Sequence, residues 1–280
     1  MSDPQIWLVT GASSGFGRAI TEAAIAAGDT VVAIARRTAT LDDLVVAHPD
    51  QLETIALDVT DIAGIDEVVA DVVARHGRID VLVNNAGRTQ VGAVEETTDA
   101  ELRGLFDLHV FGPAALTRAV LPHMRAQRGG AIVMMSSFGG QLSFAGFSAY
   151  SATKFALEGL SEALADEVEP FGIKVLIVEP GGFRTGLMSP GAALLSAETG
   201  TYADTVGPTR RMVATSDGRQ PGDPAKAAAA IRTALAADKT PLRLPLGDDA
   251  VDAILGHLDS VRTEVLEWET VARATGFDEN

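Results

Sequence analysis

The chain has 280 residues, a formal net charge of −16 and no cysteine. So acidic a balance argues against nucleic acid and anionic membranes as partners, because both reward clustered Lys and Arg. Without cysteine there are no disulfides, thiolate catalysis or Cys-based zinc sites, and the five histidines (48, 76, 109, 123 and 257) lack the spacing of a helical metal pair, so no metal site is expected.

In chain order, "MSDPQIWLVT" lacks the basic region and apolar run of a signal peptide. No apolar run approaches the ~20 residues of a membrane span, so a cytoplasmic address is expected. "IWLVT" (6–10), "TVVAIA" (30–35), "LETIAL" (52–57), "IDVLVN" (79–84), "GAIVMMS" (130–136) and "IKVLIVE" (173–179) read as strands, several of them suited to burial on both faces of a parallel sheet. Helix-length segments at 15–28, 61–76, 99–109, 113–127 and 150–170 separate them. This rhythm predicts an α/β doubly wound parallel sheet, the Rossmann fold, of about seven strands with right-handed crossovers. Residues 1–280 are expected to form one domain.

From 186 to 224 the pattern loosens into a Gly-, Ser-, Thr- and Pro-rich stretch, expected to be a substrate loop with a short helix. A helix over 224–237 and an edge strand in "PLRLPLG" follow. Over 249–272, Val251, Ile254, Leu255, Leu258, Val261, Val265 and Trp268 recur at helical spacing. This stripe opens a C-terminal helical extension (about 248–280). It is expected to pack on the body, the alternative being a partner.

Two stretches carry chemistry. "VTGASSGFGRAI" follows the first strand and opens the first helix, with Gly11, Gly15 and Gly17 spaced G-x3-G-x-G. A helix N-terminus offers free N–H groups and partial positive charge to a pyrophosphate, and glycines let the backbone approach it. The second strand ends "AIARR", where Ala35 replaces the acid that ordinarily binds ribose hydroxyls. Arg36 and Arg37 follow, and a guanidinium there can pair with a 2′-phosphate, so NADP(H) is expected in preference to NAD(H). In "SSFGGQLSFAGFSAYSATK", Tyr150 and Lys154 are i and i+4 on one helix face, thirteen residues after Ser137. A nearby cation favours phenolate over a phenol that titrates near ~10, making Tyr150 usable as an acid or base, while Ser137 holds a carbonyl oxygen.

With "TGASSGFG", "NNAG" (84–87), Ser137, "YSATK" and "PGGFRT" (180–185) in this order, residues 5 to 245 resemble the short-chain dehydrogenase/reductase family. The resemblance implies hydride transfer between nicotinamide and a secondary alcohol or ketone. It implies that Gly11, Ser13, Ser14, Gly15, Phe16 and Gly17 line the cofactor phosphates and ribose. Asp58, with Val59 beside it, meets the adenine, and Asn85, Ala86 and Gly87 run along the cofactor. Lys154 binds the nicotinamide ribose and lowers the Tyr150 pKa. Tyr150 is the proton donor in reduction, Ser137 bonds the substrate oxygen, and Pro180, Gly181 and Thr185 position the nicotinamide. A homodimer or homotetramer through the helices near 113–127 and 150–170 is also implied. The alternatives are an epimerase or dehydratase of the extended relatives and a catalytically idle NADPH-binding regulatory protein.

The chain departs from the family at His109, where an asparagine is usual. An imidazole can donate and accept at once and titrates near neutrality. His109 is therefore expected to maintain a water-linked path to Lys154, the alternative being packing beside Phe106 and Phe111. Ser137, Gln141, Leu142, Phe144, Phe147, Phe183, Leu187, Met188 and Tyr202 are expected to contact the substrate, which their apolar character predicts to be ring-sized or larger.

Overall fold

The computed structural model describes residues 4–189 and 192–277. Residues 1–3, 190–191 in the expected substrate loop and 278–280 at the chain end lie outside the described residues. Seven strands form one sheet: β1 (Ile6–Thr10), β2 (Thr30–Ala35), β3 (Leu52–Ala56), β4 (Val81–Asn84), β6 (Gly130–Met135), β7 (Ile173–Pro180) and β9 (Arg243–Leu246). Their order is β3-β2-β1-β4-β6-β7-β9, with every pairing parallel. The order reverses direction between β1 and β4. Ligands of such sheets bind beyond the carboxyl ends of the strands at that point.

Alternation along the strands builds two core layers. Trp7 and Val9 of β1 face Ile20 and Ala24 of α1 (Gly15–Ala26) and Ile231 of α8 (Pro224–Ala236). Leu41, just before the short α2 (Asp42–Ala47), joins this layer. Leu8, from the same strand as Trp7, faces the other layer. That layer holds Val69 of α3 (Ile62–His76), Leu116 and Val120 of α5 (Gly112–Gln127), and Leu157 and Leu164 of α6 (Ser148–Val168). At the amino ends of the strands, Asp80 accepts the Ile6 N–H at 2.8 Å and pairs with Arg78. Arg232 pairs with Asp29 at 2.8 Å. Among the described residues no helix is long and apolar enough to cross a membrane.

Three features differ from the sequence reading. The helix expected over 99–109 stops being α-helical after α4 (Asp99–Phe106), becomes one π-helical turn at 107–111 and continues into α5. Pro113 has no N–H to return to the carbonyl four residues back, so the regular ladder is broken there. The two-residue strands β5 (Gln90–Val91) and β8 (Leu194–Leu195) pair as a small separate sheet and tie the substrate loop to the body; they are too short to show a period. The expected packing of the C-terminal stripe is corrected. In α9 (Asp248–Glu267) only Ala250 and Ile254 are buried, and Val251, Leu255, Leu258, Val261 and Val265 are exposed, with Trp268 beyond the helix 63 % exposed. Twenty residues span about 30 Å, and only the first turns of α9 meet β9 and its surroundings.

The substrate loop is further held by one carboxylate. Glu96 Oε1 accepts from Thr199 N at 2.9 Å and Thr199 Oγ1 at 3.1 Å, and Oε2 accepts from Arg210 at 2.8 Å. Arg210 lies on α7 (Gly207–Ser216) within the loop. These donors bring the Glu96 carboxyl down to about 2, the Thr199 N–H contributing most.

Candidate active site

A cleft of about 1110 Å³ opens at the carboxyl ends of the strands, at the switch point. Its first wall is the turn between β1 and α1. Gly11 (φ 63°) and Gly15 (φ 55°) take the left-handed conformation that favours glycine. A Cβ on Gly11 would lie 2.8 Å from Ala86 Cα, and one on Gly15 2.8 Å from Thr185 Cβ. Asn85 Nδ2 donates to Thr10 O at 2.9 Å and to Gly11 O at 3.2 Å, fastening the turn to the end of β4. Ser13, Ser14 and Phe16 line the cleft. Gly17 does not; it sits behind the turn, where a Cβ would lie 2.3 Å from Gly11 O. Backbone N–H groups at a helix start, with no side chain in the way, suit a pyrophosphate.

A second wall is formed by Arg36 and Arg37 after β2 and by Asp58 and Val59 after β3. Asp58 also accepts from Thr60 N at 3.0 Å, so it is at once a turn former and a cleft residue. The Arg36 side chain is 75 % exposed and stands 3.9 Å from Asp58, which leaves its guanidinium available to an anion.

Ser137, Tyr150 and Lys154 also line the cleft, as do Gly87, Pro180 and Gly181 and, against the glycine turn, Asn85, Ala86 and Thr185. Gly139 N–H donates to Ser137 Oγ at 3.1 Å and orients the hydroxyl. Lys154 Nζ donates to Met135 O at 2.8 Å and lies 5.6 Å from the centre of the Tyr150 ring. Burial pushes the Lys154 amine down to about 8, against the upward pull of the Glu158 carboxylate. It pushes the Tyr150 phenol up to about 12, and the Ser137 hydroxyl works the other way. Desolvation thus shifts the Tyr150 phenol upward, in the direction opposite to the lowering expected from Lys154.

His109 lies in the π-helical turn and is buried. Arg88 N–H donates to its Nε2 at 3.2 Å, so the ring proton sits on Nδ1 and faces Thr153 Oγ1 at 2.8 Å. Thr153 Oγ1 in turn donates to Tyr150 O at 2.7 Å. The His109 ring also stands edge-on to the Tyr150 ring at 5.7 Å. The expectation that it titrates near neutrality is corrected: burial first, then the Lys154 charge, hold it well below the ordinary value and keep it neutral.

Of the expected substrate residues, Ser137, Phe144, Phe147, Phe183, Leu187 and Met188 line the cleft. Phe183 packs on Phe16 at 5.1 Å, beside the glycine turn. Gln141, Leu142 and Tyr202 are not brought to it: Gln141 donates to Glu179 at 2.8 Å, and the Tyr202 hydroxyl donates to Glu95 on the outer surface. Residues that the sequence did not reveal also line it. Phe138 stacks with Phe144 at 6.2 Å, Met212 comes from the far end of the loop, and Asp249 accepts the Gly182 N–H at 2.7 Å. Asp249 is some seventy residues from the segment it holds, and no local pattern announces it.

Comparison with known proteins agrees with this geometry. The short chain dehydrogenase family matches residues 5–193, and the chain belongs to that family. It is 70 % identical to a short-chain dehydrogenase from Streptomyces avermitilis of known crystal structure, covering 99 % of this chain and 100 % of that one with a TM-score of 0.93. A 3-ketodihydrosphingosine reductase from Bacteroides thetaiotaomicron is 36 % identical, over 87 % of this chain and 88 % of its own. A metagenomic short-chain oxidoreductase in complex with NADP is 36 % identical, over 64 % of this chain and 83 % of that one, with a TM-score of 0.61. The chain is therefore an oxidoreductase of the short-chain dehydrogenase/reductase class.

Proposed function

We propose that the protein is an NADP(H)-preferring reductase of apolar ketones of ring size or larger, working reversibly with the matching secondary alcohols. The observation that carries this reading is the convergence of Ser137, Tyr150 and Lys154 in a cleft whose outer wall is Phe138, Phe144, Phe147, Leu187 and Met188. The glycine cradle fits a dinucleotide, and the nicotinamide, when bound, supplies the hydride. The Ser137 hydroxyl, oriented by Gly139 N–H, donates to the substrate carbonyl oxygen. The neutral Tyr150 phenol gives its proton to that oxygen as the carbonyl carbon is reduced. Lys154, anchored on Met135 O, faces the phenolate left behind and stabilises it. A protonated phenol is the form that reduction requires, and the upward shift of Tyr150 is in keeping with it.

Arg36 and Arg37 in place of an acid favour the 2′-phosphate, and a relative in complex with NADP supports that choice. The Bacteroides relative, a 3-ketodihydrosphingosine reductase, is in keeping with a keto substrate. Association into a homodimer or homotetramer through α5 and α6 is part of this reading. The exposed Phe155 of α6 and Phe111 just before α5 support it, and light scattering tests it. Tyr150→Phe tests the chemistry: kcat for ketone reduction should fall by about 10²-fold or more with NADPH affinity retained. Near-normal turnover in that variant refutes the assignment.

A further inference from the structure

Two buried carboxyls stand behind Lys154 without lining the cleft. Glu158 is one helical turn further along α6 and is 5 % exposed; Glu179, the penultimate residue of β7, is 1 % exposed. They share one cation. Arg243 of β9 has its Nε 3.1 Å from Glu158 Oε2 and 3.7 Å from Glu179 Oε1, and its other end is occupied by Glu162 at 2.8 Å. Three carboxyls thus meet one guanidinium.

The hydrogen bonds point the same way. Glu179 Oε1 accepts from Gln141 Nε2 at 2.8 Å. Among the described residues Glu158 Oε1 and the Ser136 hydroxyl are buried without a well-aligned partner, although the Ser136 hydroxyl is near enough to work against the rise of the Glu158 carboxyl. Both crowd over Gly140, where a Cβ would lie 3.0 Å from the first and 2.5 Å from the second. A buried carboxylate oxygen without a well-aligned donor is costly, and two buried like charges that pair directly with the same guanidinium do not both ionise readily. A proton on Glu179, donated to Glu158, relieves both problems. Burial is the main cause that raises both groups, Glu179 to about 7. The charged groups facing the pair are Lys154 and Glu162 on α6 and Arg243 on β9, while Ser136 and Gln141 are neutral. Lys154 is the one that matters for chemistry, since the Glu158 carboxylate helps to keep its proton on.

We propose that Glu158 and Glu179 hold one proton between them and act, through Lys154, as positioning residues that set the pH range of the reacting pair. This rests on Tyr150 and Lys154 being that pair. When the shared proton leaves to solvent, the charge beside Lys154 becomes more negative. The ammonium then survives to higher pH, and so does the stabilisation of the Tyr150 phenolate.

The first measurement uses the wild-type protein and needs no turnover. Infrared difference spectra over roughly pH 5 to 9 should show a protonated-carboxyl band that vanishes as the pH rises and is missing from Glu179→Gln. The second is kcat/KM for alcohol oxidation against pH. Glu158→Gln should move the falling, alkaline limb down by about one pH unit. Glu179→Gln, which imitates the protonated acid, should keep its activity at the acid end and also fall early. A purely structural role changes thermal stability and leaves the limbs in place. That result, or a wild type without the carboxyl band, overturns the proposal. Failure of the site reading shows separately, as a Tyr150→Phe variant that turns over normally.

Discussion

Gly17→Ala is the substitution for which the structure gives the sharpest number. A Cβ at that position would lie 2.3 Å from Gly11 O and 2.6 Å from Asn85 Nδ2, against ordinary contacts of about 3.5 Å. The neighbours must therefore withdraw by about 1 Å, and neither can do so freely. Gly11 is held in a left-handed turn and accepts from Asn85 Nδ2, which is itself also tied to Thr10 O. Overpacking of this kind costs about 1–3 kcal/mol, and losing one of the Asn85 bonds adds about 1 kcal/mol. The sum, about 2–4 kcal/mol, is a factor of about 30 to 10³ in an equilibrium constant, divided between folding and cofactor binding. NADPH fluorescence titrations and thermal melts measure the two parts. Gly256→Ala is the control: it lies in the exposed helix α9 with no described residue within 4 Å of its Cβ position, and should stabilise by about 0.5–1 kcal/mol. If Gly17→Ala binds NADPH within about threefold of wild type and melts at the same temperature, the packing argument is wrong.

The other predictions concern charge and hydrogen bonding. Wild type should prefer NADPH to NADH in kcat/KM, and Arg36→Asp should weaken or reverse that preference by about tenfold or more; a wild-type preference for NADH rejects it. His109→Asn should keep most activity, whereas His109→Leu, which leaves Arg88 N–H without its acceptor and removes the Nδ1–H donor to Thr153 Oγ1, should lose at least about tenfold in kcat while remaining folded. Because His109 is held neutral, wild-type rates should show no imidazole ionisation between roughly pH 6 and 8, and one assignable to His109 by its loss in the asparagine variant contradicts the neutral Nδ1–H tautomer. Glu96 has a folded pKa near 2, below its unfolded value, so its contribution is complete above the ordinary carboxylate range and is lost as pH falls toward 2. Glu96→Gln should accordingly speed proteolysis within 186–224 at neutral pH, and an unchanged cleavage rate argues against the clip.

Much of this was legible in the sequence because the informative signals are local. The six long strands announce themselves as apolar runs, and the phosphate turn shows its glycines in the order that strand, turn and helix require. Tyr150 and Lys154 share a face by helical spacing alone. What was not legible depends on contacts across the chain. The stripe of α9 has the right period for burial, but period does not say whether a body lies beneath it, and here little does. Gln141 sits between two cleft-lining stretches yet turns to Glu179, because a buried carboxyl is a stronger claim on its amide than solvent. Tyr202 is drawn outward by Glu95. The sign of the Tyr150 shift also escaped, since the spacing reveals the lysine and not the depth at which both groups are set.

The separation of the two ends of the sheet has a practical consequence. The cleft residues gather at the carboxyl ends of the strands, while the Arg78–Asp80 and Arg232–Asp29 pairs and the buried indole of Trp7 tie the opposite end together. Durability and selectivity can therefore be engineered on different faces of the molecule. Substitutions at the amino ends of the strands offer tolerance of heat or solvent at little risk to turnover. Variation at Phe144, Leu187 and Met212 is the place to look for new substrates, since none of these side chains is fully buried.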